Sequence, residues 1–240
     1  MNYNKHIQKE LEKWEHSIRL ETKWQTKAKS LQEFTNSLLP KSIQDTITDT
    51  MEKFISAVMN GSQIITNFSE YDSNSTLSEC DFLLTEKFKE YKRTAVVEGG
   101  ITGAGGLLLG LADLPALLSV QIKFLFEAAA IYGYNTYEES ERLFLLYIFQ
   151  LTYSSREHRI ECYNIIRNWT GYKTVDWTKL QMEYRDYLDF AKMLQLVPII
   201  GAPVGMIANG KLMEQLRTTV MNSFRLRKLN ANNHNIVAEV

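Results

Sequence analysis

The stretch Glu98-Gly99-Gly100-Ile101-Thr102-Gly103-Ala104-Gly105-Gly106-Leu107-Leu108-Leu109-Gly110-Leu111-Ala112-Asp113-Leu114-Pro115 holds half of the chain's twelve glycines and is bracketed by two acids, Glu98 and Asp113. Phosphate chemistry fails here on spacing. A phosphate-binding loop needs Gly-x4-Gly followed by Lys and then Ser or Thr, so that backbone N–H groups and an ammonium reach the phosphates. Gly105 and Gly110 have the first spacing, but Leu111 and Ala112 follow. The dinucleotide fingerprint needs Gly-x-Gly-x-x-Gly after a strand. Gly103-x-Gly105 leads to Leu108 instead, and a helical pattern precedes it. What the glycines share is a spacing of four: Gly99 with Gly103, and Gly106 with Gly110. Glycines on one helical face remove side-chain bulk and let two backbones approach closely.

An echo of this stretch lies near the other end of the chain. Leu196-Val197-Pro198-Ile199-Ile200-Gly201-Ala202-Pro203-Val204-Gly205-Met206-Ile207-Ala208-Asn209-Gly210 is again apolar, with Gly201 and Gly205 four apart. A membrane-spanning helix needs about 20 predominantly apolar residues. Ile101 to Leu118 is near that length but is interrupted by Asp113 and Pro115, and an acid within lipid is costly. Leu194 to Ile207 is shorter and holds two prolines. Two readings stay open: close packing of the two segments in a helical core, or a hairpin that inserts shallowly and reversibly into lipid. Under either, the residues that would contact a ligand or a membrane are Glu98, Gly103, Gly106, Gly110, Asp113, Gly201, Gly205 and Asn209.

The rest of the chain reads as helices. Ile7, Leu11, Trp14 and Ile18 make one stripe on a charged helix over residues 4 to 32. Pro40 suits a helix start, and Ile43, Ile47, Met51, Phe54 and Val58 form a second stripe that ends near Asn60-Gly61. Thr76 with Glu79, Thr136 with Glu139 and Ser154 with Glu157 each have capping-box spacing. The first box opens a helix with Leu84, Phe88, Tyr91 and Ala95 on one face, which Gly99-Gly100 either ends or brings close to a neighbour. Asp113 can cap a helix from Leu114. On it, Ser119, Lys123 and Glu127 make one narrow polar line, so most of its sides are buried. Tyr132-Gly133 reads as its C-cap. Asp176 opens a helix that Pro198 stops. A last helix carries Leu212, Leu216, Val220 and Phe224 and ends in Arg225-Leu226-Arg227-Lys228, cations that either complement its dipole or meet anionic headgroups. No strand pattern appears. The expected class is all-α, a multi-helix bundle with the two Gly/Pro-rich apolar segments packed together in its core. Residues 1–75 supply N-terminal helices, 76–229 the core and 230–240 an Asn-rich disordered tail.

Composition narrows the chemistry. The chain has 240 residues, a formal net charge of −1, 45% apolar and 23% charged residues, which suits a folded protein and gives no electrostatic pull toward nucleic acid. Cys80 and Cys162 make no disulfide framework, and Met1 to Glu21 has no apolar signal core, so a cytoplasmic setting is expected. His158 and Cys162 lie four apart on one helix, but zinc wants four ligands and no second pair is close in sequence. No metal or cofactor is therefore expected. A carboxylate site would need Glu98, Asp113 and Glu141 to converge.

These residues carry a resemblance. The run from Glu98-Gly99 to Ala112-Asp113-Leu114-Pro115, then Tyr132-Gly133-Tyr134 and Glu141-Arg142, resembles the EcsC family. So do Val197-Pro198-Ile199-Ile200-Gly201-Ala202-Pro203-Val204-Gly205, Asn209 and Phe224-Arg225-Leu226-Arg227. The likeness covers about residues 80 to 228; Gly210 departs from it, since an aromatic residue is expected after Asn209. The resemblance implies a bacterial protein similar to the third product of an operon whose other products form an ABC transporter, linked to secretion, peptide export and intramembrane proteolysis. It supplies no catalytic residues. The expected function is a non-enzymatic accessory of an ABC exporter, cytoplasmic or peripheral at the inner face of the cell membrane, with transporter components as partners. Two alternatives stand beside it. One is a binding module for a lipid or hydrophobic peptide. The other is a hydrolase-like enzyme that uses the acids of the glycine-rich segment.

Overall fold

Among the residues that the computed structural model describes (3–20, 41–61, 71, 75–103, 114–154, 156–171 and 201–238), every regular element is an α-helix. They are α1 (Tyr3–Arg19), α2 (Lys41–Asn60), α3 (Leu77–Gly103), α4 (Leu114–Ile131), α5 (Glu139–Tyr153), α6 (Arg156–Arg167) and α7 (Gly201–Ala238). The all-α class is thus what the chain adopts.

The long α7 is the spine. It packs along α3 most extensively and also meets α1, α4, α5 and α6, while α2 lies on α4 and α5. Sequence periodicity explains why. Leu212, Leu216, Val220 and Phe224 recur every four residues and are buried, as are Leu84, Phe88 and Ala95 on the facing α3. α4 and α5 are apolar nearly all round. Phe124, Phe126, Phe144 and Phe149 are each almost fully enclosed. Aromatic contacts join the layers, with Phe54 of α2 against Phe149 at 4.3 Å and Phe88 of α3 against Phe124 at 5.5 Å between ring centroids. Only Ser119 and Lys123 of the α4 polar line reach solvent fully; Glu127 is half-buried.

Helix ends follow local chemistry in three places. At the start of α3, the Thr76 N–H donates to Glu79 Oε2 (2.7 Å) and the Glu79 N–H donates back to Thr76 Oγ1 (3.3 Å), a complete capping box. At the end of α4, Gly133 takes φ +81°. Its N–H donates to the Ala130 carbonyl (2.9 Å) and the Tyr134 N–H to the Ala129 carbonyl (2.8 Å), which is a Schellman motif. Gly61, at φ +58°, closes α2 with its N–H on the Ala57 carbonyl (3.2 Å).

Three sequence expectations are corrected. α1 ends at Arg19 and not at residue 32. Its last carbonyls are taken from outside the helix: Arg156 Nε donates to Arg19 O (2.8 Å), and Arg159 Nη2 to Ile18 O (3.1 Å) and Leu20 O (3.0 Å). The Thr136–Glu139 box does not form. Glu138 is the N-cap of α5 without a side-chain cap bond. Asn135 Oδ1 instead accepts the Tyr137 N–H (3.1 Å), and Arg142 Nη1 holds the Thr136 and Tyr137 carbonyls. Of the two readings of Gly99-Gly100, the one in which it ends α3 falls, since the helix runs through to Gly103. α7 does not stop at Lys228 but continues to Ala238. Leu229 is buried and Asn230 Nδ2 donates to Arg167 O (3.2 Å), so α6 supports the next turn, and an established helix extends without a new nucleus. The expected Asp176 helix lies outside the described residues.

Gly133 allows a direct test. Ala at a left-handed position costs about 1–2 kcal/mol. Gly133→Ala is expected to lower the thermal midpoint by several degrees, and an unchanged midpoint would show that the turn does not need the positive φ.

Candidate functional site

Of the residues proposed from the sequence, Glu98 and Gly103 lie on α3, and Gly201, Gly205 and Asn209 lie on the first turns of α7. Gly106, Gly110 and Asp113 lie outside the described residues. Asn209 is buried, and its Nδ2 donates to the Ala95 carbonyl of α3 (3.2 Å). A carbonyl has two lone pairs, so Ala95 can accept this bond beside its helical one. At the next residue, a Cβ added to Gly210 would sit 3.3 Å from Val96 Cγ2 and 3.9 Å from Lys92 Cε. The departure from the family pattern at Gly210 therefore coincides with a close approach of α7 to α3. The end of the second apolar segment thus docks on α3 about one turn before Glu98-Gly99. Below it, Gln121 Nε2 of α4 donates to Tyr153 Oη of α5 (2.9 Å). That hydroxyl donates to the Leu212 carbonyl of α7 (2.9 Å).

The densest polar constellation is elsewhere and was not singled out from sequence. Asp81, on the second turn of α3, is buried. Its Oδ2 accepts from Tyr3 Oη (2.5 Å) and Arg225 Nε (2.8 Å), and its Oδ1 accepts from Tyr132 Oη. Arg225 extends the network through Nη1 to Glu10 Oε2 (2.9 Å) and Asn222 Oδ1 (3.2 Å). One carboxylate so joins α1, α3, the end of α4, and α7. Burial pushes the Tyr3 phenol up to about 12, and the Asp81 carboxylate pushes in the same direction. Burial would lower Arg225, but the carboxylate of Asp81 more than offsets it and the guanidinium is held above its usual value. Beside it the Cys80 thiol, raised by burial, donates to the Ile131 carbonyl (3.2 Å).

A second constellation sits next to the first. Arg227 makes a two-pronged bond to Glu141, Nη1 to Oε2 and Nη2 to Oε1, both 2.6 Å. Its guanidinium lies over the rings of Tyr134 (3.9 Å) and Phe144 (4.6 Å). Tyr132 and Tyr134 both stack on Phe224, at 5.0 and 5.3 Å. The Tyr132-Gly133-Tyr134, Glu141 and Phe224–Arg227 elements, far apart in sequence, thereby form one cluster. For the two arginines of the basic end, both sequence readings are corrected here. Arg225 and Arg227 neither close a helix nor stand free for headgroups, because the helix continues past them and each is spent on an internal carboxylate.

The remaining candidates fall apart or stay separate. Glu141 is committed to Arg227, and the side chains of Glu98 and Asp113 lie outside what is described. His158 Nε2 lies 2.8 Å from Gln150 Oε1 and 3.6 Å from Cys162 Sγ, and its Nδ1 lies 3.0 Å from Glu161. Among the described residues no group of three or more His, Cys, Asp or Glu is placed to hold a metal ion. What the two arginine constellations do chemically is fix charge and orientation; every acid in them already accepts from a cation.

Removing Asp81 leaves Arg225 half-buried beside two phenols without its main counter-charge, and breaking such a pair costs about 3–5 kcal/mol. Asp81→Ala is expected to lose stability on that scale in urea unfolding; a loss under about 1 kcal/mol would place the pair among weak surface bridges. The raised phenol sets a pH window. Its folded value lies above its ordinary 10.0, so its contribution is intact below pH 10 and is lost as pH rises through about 12. Stability should fall across that window and fall less in Tyr3→Phe. Equal alkaline losses in both proteins would exclude Tyr3 as a contributor.

The model of the EcsC protein family matches residues 5–229. The chain is 40% identical over 231 residues to the protein EcsC of Bacillus subtilis (strain 168), covering 95% of this chain and 98% of that one. It is 25% identical over 247 residues to the uncharacterized protein YdbA of the same organism, covering 92% of this chain and 91% of that one. No solved structure matches it. With the family match running from α1 to Leu229 of α7, the chain belongs to the EcsC protein family.

Proposed function

We propose that the protein is a non-enzymatic helical accessory of an ABC exporter that works at the inner face of the cell membrane. The exporter half of this reading comes from the resemblance to the third product of an operon that encodes a transporter. The non-enzymatic half has a structural observation behind it: the buried charge of the described helices is committed to holding helices together. Asp81 is met by two phenols and Arg225, and Glu141 by both prongs of Arg227. A general acid or base must be able to exchange its proton with a substrate. Groups held this way orient helices instead.

The membrane half is consistent with surface contact. Among the described residues no helix is long and apolar enough to cross a bilayer. On this reading the protein meets the transporter by its surface.

The test is in-cell cross-linking of the tagged full-length protein, followed by identification of its membrane partners. Recovery of the subunits of one ABC exporter well above other membrane proteins is the expected result. Recovery of no transporter subunit overturns the proposal. So does a hydrolytic activity that Glu141→Gln abolishes while the protein stays folded.

A further inference from the structure

We infer that the outward face of α1 is a docking surface for an anionic phospholipid bilayer, an inference that rests on the reading of the protein as one that works at the membrane. In sequence α1 looks balanced, with Glu10, Glu12 and Glu15 against Lys5, Lys9, Lys13 and Arg19. The fold separates these charges. Glu10 lies at the flank of the helix and pairs with Arg225 at 2.9 Å and with His6 at 3.3 Å. Glu15 pairs with Arg167 of α6 at 3.0 Å and with Arg19 at 3.4 Å. Two of the three acids are thus neutralised at the flanks of the helix.

The lysines go the other way. Lys5, Lys9 and Lys13 are four residues apart, all exposed, and in no ion pair among the described residues. Four-residue spacing advances only about 40° around a helix, so the three form a single ridge. This ridge stands opposite the buried stripe of Ile7, Leu11 and Ile18. His6 and His16 are exposed on the same side, and Glu12 is the one exposed acid of the helix. The neighbouring α6 presents Arg156, Arg159 and Arg167 toward α1. At the end of the ridge Leu20 is half exposed, an apolar group placed for the headgroup region.

The contrast with α3 shows that this is not how every outer face of the protein is built. There Glu86, Lys89, Glu90 and Arg93 alternate in sign, and Lys89 is paired with Glu86 at 2.6 Å. A single-sign ridge is attracted to a negatively charged leaflet, in a manner that salt weakens, whereas an alternating face is not.

The experiment is flotation of the full-length protein with vesicles of pure phosphatidylcholine and with equimolar phosphatidylglycerol and phosphatidylcholine. Binding to the anionic vesicles alone, weakened by added salt, is expected. The triple variant Lys5→Gln, Lys9→Gln, Lys13→Gln should lose on the order of a hundredfold in partitioning, and Glu12→Gln should gain several-fold. All four positions are solvent-exposed, so unchanged thermal midpoints will show that the variants remain folded. If the triple variant binds anionic vesicles as the parent does, the ridge is not the surface, while the membrane reading survives. If the parent binds neither vesicle yet still cross-links to transporter subunits, the lipid assignment is overturned and the accessory reading survives. Binding that appears only on vesicles carrying the transporter, and that the triple variant loses, assigns the ridge to an acidic protein surface and overturns the inference for lipid.

Discussion

A carboxylate sealed from water must be met by donors, and the way this protein meets Asp81 constrains everything around it. The acid sits on α3, one turn past its capping box, with its guanidinium partner Arg225 on α7, 144 residues away. Two phenols complete the shell, Tyr3 from α1 and Tyr132 from the end of α4. Buried ion pairs are weak evidence for stability as such, since desolvation offsets much of the attraction. Their larger effect here is on register. The apolar stripes of α1, α3 and α7 could pack with one helix slid by a turn at little cost in buried area. The Asp81 shell closes in only one register, because three groups from three other elements must arrive at its two oxygens.

The turn after α4 follows from the same requirement. Tyr132 must face Asp81, and two residues later Tyr134 must lie beneath the guanidinium of Arg227. The positive φ of Gly133 reverses the chain so that both rings stack on Phe224. On α7 the two arginines are two positions apart, which on a helix points them about 200° away from one another. Arg225 therefore reaches α3 and α1 while Arg227 reaches Glu141 on α5. Phe224, immediately before them, is the ring both tyrosines use. A short run of α7 so reads out three neighbouring helices at once.

How much of this can be read from the sequence depends on distance along the chain. Ile7 with Leu11, Leu84 with Phe88, and Leu212 with Leu216 announce buried faces, because a stripe of period 3.6 is a local property. Thr76 with Glu79 and Gly133 after Tyr132 are equally local, and both form as their spacing indicates. Thr136 with Glu139 shows the limit. The same spacing is overridden when Asn135 captures the Tyr137 N–H and Arg142 pulls on the turn carbonyls, contacts that spacing does not reveal. The end of α1 is met by arginines of α6, and α7 passes Lys228 with Asn230 bonded to α6, again at long range. The Asp81 constellation was invisible for this reason. Asp81 looks like one more acid in a capped first turn, and Arg225 like part of a basic helix end. The only hint was the clustering of Tyr132, Tyr134, Glu141, Phe224 and Arg227 among the residues that carry the family resemblance. Of the proposed site residues, Asn209 is brought onto α3, whereas Gly106, Gly110 and Asp113 lie outside the described residues.

The charge on the outside of α1 is a consequence of this interior. In an isolated helix of this sequence Lys9 faces Glu12 and Glu10 faces Lys13 at three residues, and Glu15 faces Arg19 at four. Docking adds partners from other helices, while Glu15 keeps Arg19 and Glu10 keeps His6. Arg225, oriented by Asp81, draws in Glu10, and Arg167 draws in Glu15. Glu10, turned toward Arg225, leaves Lys13, three residues on, unmatched. The sorting costs little, because a lysine on a solvated face keeps its hydration while a glutamate near a buried guanidinium gains a charge-assisted bond. A network that fixes helix register in the core thereby polarises the surface above it, and the two cannot be altered independently through Arg225. The outward lysines, exposed and in no ion pair among the described residues, can be changed without disturbing the core.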